Sequence, residues 1–429
     1  MGESPPGRLR TISPRSFAAP HPEIHCPLPP PSIQVPTMPA PAVSAPSVPR
    51  LTAEEELYWL ALRLVQGLGP SRAIPLLEAY RTPQALFRAP VSELEGHGLS
   101  GAAARSISSG CTFEDAAALR EKVNQEGLAI LPFGHPAYPA ALLSIDDPPL
   151  LLFAKGNLDL LSALLVAVVG TRRPSTYGNS ATERVAADLA KAGVVIVSGM
   201  ARGIDTAAHR AALNANGGTI AVFGSGIDHI YPAENRRLSE KIAASGLILS
   251  EYPPGTPAHP HNFPARNRII SGISYAVLAV EGAQYSGSAI TARTAALQGK
   301  EIYAIPGPIH SRMSFVPNLL IKQGARLLTD AEDLLADLPS ELRHKLLRQV
   351  TQPESPAQLP LDLEARFGPN TPIARSIVAA VTSRDNVELD SLLESLDGYS
   401  PSEVIATLFE MELAGMVRQL PGKQFARVW

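Results

Sequence analysis

Small-residue clusters punctuate the middle of this 429-residue chain, each placed where an apolar run ends or a helical stretch begins. Gly170-Thr171-Arg172-Arg173 follows the run 166–169, and Ser198-Gly199 follows 194–197 and leads into Ala201-Arg202-Gly203-Ile204-Asp205. Gly224-Ser225-Gly226 closes 219–223, Phe263-Pro264-Ala265-Arg266-Asn267-Arg268 opens a helical stretch, and Ser286-Gly287-Ser288 with Thr291 opens another. Glycine lets a backbone come close to an anion, and the first amides of a helix donate to it with a partial positive charge. Such loops suit phosphate. Arg172 offers a charge, Thr171 and Ser225 offer hydroxyls, and Gly224 and Gly226 flank Ser225 as an amide nest or as a plain tight turn. Arg202 reads as a phosphate contact or as a loop organiser.

A polymer's phosphate fits this pattern better than a cofactor's. The first loop spaces its glycines as Gly170 and Gly178 rather than G-x-G-x-x-G, and the second strand ends on Ser198 where ribose recognition needs an acid. Phe263 beside Arg266 and Asn267 combines a ring for base stacking with groups for phosphate, a pairing suited to single strands of any sequence. Arg268 runs into a buried helix and is expected to pair internally. Ser198, Asp205 and His209 invite a hydrolase reading, but Ser198 lacks the G-x-S-x-G elbow, and Asp205 with His209 at i,i+4 is expected to cap and brace the helix. No catalytic residue and no cofactor is assigned. Cys26 and Cys111 have neither disulfide nor zinc spacing, which implies no metal and a reducing cytoplasm.

The elements that must position these loops follow from the pattern around them. Apolar runs at 129–133, 166–169, 194–197, 219–223, 247–249, 276–280 and 302–305 read as strands, with helical stretches between most of them. The run 158–169, too short for a membrane span, reads as a strand with its lead-in. Aromatics are only 5% of the chain, which favours α/β packing over a β-sandwich. The fold class is therefore α/β, a doubly wound parallel sheet whose crossover handedness brings the loops to one edge. A helix opening at Gly170-Thr171-Arg172-Arg173 and running over 181–190 would aim its N-terminus at the bound phosphate. Between residues 166 and 330 there are 16 Lys and Arg against 10 Asp and Glu, a net of +6 in a chain of −3. Part of that charge is solvated helix surface, and the remainder sits where the glycine loops are.

Smaller units flank the core. Residues 1–50 hold about a third of the prolines and read as a disordered tail. Thr52 with Glu54, Glu55 and Glu56 starts a helix, and Gly67-Leu68-Gly69-Pro70 turns it into a second; Gly96-His97-Gly98 makes a weaker copy, so 51–125 reads as a helix-hairpin-helix-like domain. The core domain is expected over 126–340, with a helix from 331 to 350, a linker at 341–371 and a final domain at 372–429. Ser400-Pro401 starts the last of three helices there, and strands around Pro421-Gly422 complete a winged-helix pattern. Glu403, Glu410 and Glu412 on its third helix disfavour reading of a DNA groove.

Taken in order, Val-Gly-Thr-Arg, Ser-Gly-Met-Ala-Arg-Gly-Ile-Asp, Phe-Gly-Ser-Gly-Ile-Asp, Tyr-Pro-Ala-Glu-Asn, Phe-Pro-Ala-Arg-Asn-Arg-Ile-Ile-Ser-Gly and Ser-Gly-Ser-Ala-Ile-Thr-Ala resemble the DNA-processing family DprA, also called Smf, over about residues 142–330. The resemblance implies an extended Rossmann fold that binds single-stranded DNA without sequence preference, protects incoming DNA in natural transformation and loads the recombinase RecA. It also implies a homodimer through the Rossmann domain. Carried onto this chain, it makes Arg172 the leading phosphate ligand, gives Gly170, Thr171, Ser198, Gly199, Gly224, Ser225 and Gly226 the shaping of the pocket, and lays Phe263, Arg266 and Asn267 along the strand. Two departures stand out: Ala233 replaces a basic residue, and Val316-Pro317-Asn318 replaces a glycine-containing triplet. The competing enzyme reading is a phosphoribohydrolase-like Rossmann protein, whose Pro-Gly-Gly-x-Gly-Thr-x-x-Glu signature is absent, since Pro306-Gly307-Pro308 lacks the glycine pair and the acid. A third reading is an adaptor acting through its terminal domains.

Overall fold

The computed structural model describes residues 51–343, 346, 367–382, 387–396, 398–413, 416–420 and 424–427. The disordered tail expected over 1–50, most of the linker expected over 341–371 and the Pro421-Gly422 turn lie outside those residues.

Six helices come first: α1 (Ala53–Leu64), α2 (Pro70–Tyr80), α3 (Pro83–Phe87), α4 (Val91–Gly96), α5 (Gly101–Ser109) and α6 (Phe113–Gln125). Thr52 and Glu55 form a reciprocal capping box at the start of α1, so two backbone amides that the helix leaves unpaired are satisfied. Gly67, at φ +75°, makes the turn into α2 that a residue with a Cβ would resist. Leu60, Leu76, Leu86, Leu94 and Ile107 are buried between the helices, and the same apolar core continues into Phe153, Phe223, Leu238 and Ile242 of the sheet and its covering helix. The helical segment is thus packed onto the α/β body through a shared core.

The sheet has nine strands: β1 (Ala129–Pro132), β2 (Leu151–Gly156), β3 (Leu165–Val169), β4 (Val195–Ser198), β5 (Thr219–Phe223), β6 (Leu247–Ser250), β7 (Ala276–Ala279), β8 (Glu301–Ala304) and β9 (Arg326–Leu327). Their order is β1-β2-β6-β5-β4-β3-β7-β8-β9, and β3 to β9 are all parallel. The doubly wound fold class therefore holds over seven strands, while β1 and β2 add an antiparallel edge. Central strands are buried on both faces, as parallel sheets covered by helices require. The helices α7 (Thr176–Lys191), α8 (Ile204–Asn214), α9 (Arg236–Ser245), α10 (Asn262–Ile273), α11 (Gly287–Leu297), α12 (Phe315–Lys322) and α13 (Ala331–Ala336) supply that cover. Because β4 lies on one side of β3 and β7 on the other, the chain reverses direction across the sheet at β3. The loops after β3 and β7 flank that switch point, where open α/β sheets bind ligands.

Two expected spans are corrected. The helix expected over 181–190 starts at Thr176, because Ser175 caps it by accepting from the Gly178 N–H at 3.1 Å. The helix expected over 331–350 breaks after Ala336, ahead of Pro339, which has no N–H to continue it; 340–343 and 346 are helical again, and 344–345 and 347–350 lie outside the described residues.

At the C-terminal end, helices Thr371–Thr382, Leu389–Ser395 and Pro401–Leu413 pack Ile377, Leu392, Val404, Leu408 and Met411 against Phe425. Strands β10 (Val387–Glu388), β11 (Val417–Leu420) and β12 (Gln424–Arg427) form an antiparallel sheet with β12 in the centre. Ser400 and Glu403 form a capping box at the third helix, as the Ser400-Pro401 start predicts. Among the described residues no helix is long and apolar enough to cross a membrane.

Candidate nucleic-acid interface

An open groove of about 560 Å³ lies over the carboxyl end of β3. One wall is Gly170, Thr171 and Arg172 from the loop after β3; another is Ser286, Gly287 and Ser288 at the start of α11. Phe263, Arg266 and Asn267 of α10 and Tyr231 of the β5–α9 loop complete it. Nine of the fifteen residues singled out from sequence thus line one surface.

Phe263 lines the groove between Arg172 and Tyr231. Gly224 lies beneath it, so close that a Cβ there would sit 2.9 Å from the ring. The Arg172 guanidinium carbon is 5.7 Å from the ring centroid, and the Tyr231 ring is 5.3 Å away at 40°. Arg172 is exposed and Tyr231 is 49% exposed. An exposed cation, an exposed tyrosine ring and the half-buried ring of Phe263 within one base's reach are a platform for a nucleotide: phosphate to the guanidinium, base to the rings. In the sequence Tyr231 stands out only as part of its Tyr-Pro motif. Its position beside Phe263, 32 residues away in the chain, is a tertiary fact.

Several expected contacts are corrected. Arg266 is 4% exposed, and its Nη1 donates to the carbonyls of Gly199, at 2.8 Å, and Val222. Its guanidinium therefore ties strand ends together under the groove. Ser198 is fully buried and donates to the Val168 carbonyl at 2.6 Å; Ser225 donates to the His229 carbonyl at 2.6 Å. Neither hydroxyl is turned to the groove, because a buried hydroxyl must find a partner in the interior and each takes a backbone carbonyl. Gly226 N–H donates to the Thr256 carbonyl at 2.9 Å, so the amide nest expected around Ser225 is a closed turn. Arg202, still 60% exposed, pairs with Glu234 of the β5–α9 loop at 3.0 Å. Arg268 pairs internally, as expected, with Glu251 at 2.8 Å and Asp147 at 3.0 Å.

Asp205 and His209 do not brace one another. Asp205 accepts from the N–H groups of Gly199 at 3.1 Å and Ala201 at 3.3 Å, and burial raises its pKa against the lowering influence of Arg266. His209 Nδ1 lies 2.7 Å from Thr219 Oγ1, while burial, reinforced by the Arg266 charge, pulls its pKa down to about 3. Ser198 and His209 thus have different partners, which removes the basis for the hydrolase reading. Asn318 pins the loop at Gly307 with two hydrogen bonds, at 3.1 and 2.9 Å.

The N-terminus of α7 is also not free for a phosphate. Glu281, at the end of β7 and 3% exposed, accepts from the Ser175 N–H at 2.9 Å and from its hydroxyl at 2.6 Å. A carboxylate from this chain already satisfies those donors, so Arg172 and the start of α11 remain as the groove's anion-facing groups.

Comparison with known proteins matches the model of DNA recombination-mediator protein A over residues 129–339 and the DprA winged helix domain over 352–423. The DNA processing protein DprA of Bacillus subtilis (strain 168) is 44% identical over 216 residues, 50% of this chain and 73% of that protein. Protein Smf of Escherichia coli (strain K12) is 40% identical over 294 residues, 68% of this chain and 76% of that protein. The X-ray structure of DNA processing protein A from Streptococcus pneumoniae is similar with a TM-score of 0.59 and 37% identity, covering 68% of this chain and 99% of that one.

Proposed function

This chain belongs to the DprA/Smf family of DNA-processing proteins, and on that premise we propose that it binds single-stranded DNA without sequence preference, protects incoming strands and loads the RecA recombinase in transformation and homologous recombination. The observation that carries the binding step is the exposed Arg172 set over the face of Phe263 at 5.7 Å, with Tyr231 beside it. Stacking serves any base, and a guanidinium serves any phosphate, so the pair favours a strand but no particular sequence. Single strands gain most, since a duplex keeps its bases stacked on each other.

In this reading the protein is a binding module without a chemical step and acts in the cytoplasm. The units are a helical domain over 51–125, the strand-binding domain over 126–340 and a winged helix over 372–429, with a tail and a linker outside them. A homodimer forms through the Rossmann domain. Support for it comes from Leu297, Ile309 and Phe315, which are 77%, 96% and 42% exposed on and next to α11 and α12, away from the groove's lining.

The test is salt-titrated binding of single and double strands. Arg172→Ala should lower single-strand affinity at least about tenfold, since a charge-assisted phosphate bond contributes roughly 1.5–3 kcal/mol. Affinity should fall steeply with salt, with a shallower slope in the variant. Unchanged affinity in a correctly folded Arg172→Ala protein would remove the groove from consideration. Stimulation of RecA strand exchange in the presence of a single-strand-binding protein tests the loading step separately.

A further inference from the structure

The start of α7 is built like a phosphate site. It follows the strand at the switch point, it belongs to a 16-residue helix, and its cap residue, Ser175, lies in a loop that contains Arg172 and Arg173. What occupies it is Glu281, which reaches across from β7. Ser175 donates both its N–H and its hydroxyl to the two carboxylate oxygens, and Gly178 lies so close that a Cβ there would collide with the same carboxylate. The neighbouring residue, Gly282, is itself fixed: its N–H donates to the Met313 carbonyl at 2.6 Å and its carbonyl accepts from Val316 at 2.9 Å. An anion held by a helix start, with glycine cleared to let it approach, is the arrangement that mononucleotide-binding sheets reserve for a phosphate.

We infer that Glu281 is a specificity-determining residue: its carboxylate stands in for the phosphate of a mononucleotide and keeps the switch point closed to free nucleotides. Two carboxylate oxygens reproduce two of a phosphate's acceptors. A phosphate brought to Ser175 would meet a like charge at contact distance and no free donors, so nucleotides are rejected by repulsion as well as by occupancy. A cell contains far more free nucleotide than DNA ends, and a strand-binding groove beside an open nucleotide site would be occupied by monomers. Closing the site leaves Arg172 and Phe263 to a polymer. The inference concerns mononucleotides and the α7 start, not the groove, so it stands whether or not the strand-binding reading does.

The experiment uses the full chain, AMP and inorganic phosphate as probes, and chloride to match ionic strength. Glu281→Ala should bind both at least roughly tenfold more tightly than the unaltered protein, the size of one charge-assisted hydrogen bond gained. Adding Ser175→Ala to that variant should abolish the gain. Glu281→Gln, which keeps the shape and fills the space, should bind neither. Should Glu281→Ala melt without a cooperative transition, phosphate should restore that transition where matched chloride does not. Equal affinity of the unaltered protein and Glu281→Ala for AMP overturns the inference. So does a folded Glu281→Ala that gains no phosphate binding, or an unfolded one that phosphate fails to restore.

Discussion

Arg266 and Asp205 grip opposite ends of one residue, Gly199. Arg266 Nη1 donates to its carbonyl at 2.8 Å, and Asp205 accepts from its N–H at 3.1 Å. Burial lowers the Arg266 pKa to about 10 and raises that of Asp205, while the opposite charges partly offset both effects. The floor of the groove is therefore an enclosed pair of charges bound to the backbone of β4's exit.

Replacing Arg266 should act on stability before it acts on binding. Arg266→Met leaves Asp205 enclosed without its counter-charge and two carbonyls without a donor, a loss of about 3–5 kcal/mol. Urea denaturation should show it directly. A stability equal to that of the unaltered protein, with single-strand affinity reduced, would return Arg266 to the role of a strand contact.

Gly199→Ala should be costly for a different reason. A Cβ there would lie 2.6 Å from Arg266 Nη2 and 2.9 Å from Asp205 Oδ2, and neither side chain is free to retreat. Overpacking of this kind costs about 1–3 kcal/mol, read as a lower denaturation midpoint with an unchanged urea slope.

His209 gives the fold an acid limit. Its pKa is held at about 3 in the folded chain against 6.5 for a free side chain, so between those values the unfolded state binds a proton that the folded state refuses. Its contribution is complete above pH 6.5 and is lost as pH falls towards 3, at up to about 1.4 kcal/mol per pH unit. Asp205, with its pKa raised, works in the opposite sense within the acid range. Both proteins share that opposing slope, so comparing the unaltered protein with His209→Gln isolates the histidine. The variant should be less stable near neutrality and should lose less stability on acidification. Parallel curves would show that His209 is not the titrating group.

Phe263→Ala should weaken single-strand binding by about 1–3 kcal/mol, roughly five- to 150-fold. Phe263→Leu separates stacking from packing, because leucine still covers Gly224 but offers no ring face. If stacking is the operative contact, both variants lose affinity in an anisotropy titration with a labelled oligonucleotide. Recovery by leucine would assign the effect to packing.

Sequence by itself determined β3 to β8 of the parallel core and the identity of the loops at their ends, while the two-residue edge strand β9 is too short to leave a pattern. Apolar runs of strand length, each closed by glycine and hydroxyl residues, leave few other arrangements, and right-handed crossovers then bring Gly170, Phe263 and Ser286 to one edge. The strand β2 was not legible: Leu150 to Ala154 follow Pro148 and Pro149 with no alternation to set them apart from a buried connector, and only pairing with β1 and β6 makes them a strand. Nor did residue type decide between Arg172 and Arg266. Both are guanidiniums in glycine-bearing surroundings, yet one is exposed over a ring and the other is enclosed and spent on two carbonyls. Ser175 and Glu281, 106 residues apart, show the same division. A side chain's chemistry fixes what it can bond; which partner it takes depends on which groups the fold brings within about 3 Å and on whether water is excluded there, and that is settled only in three dimensions.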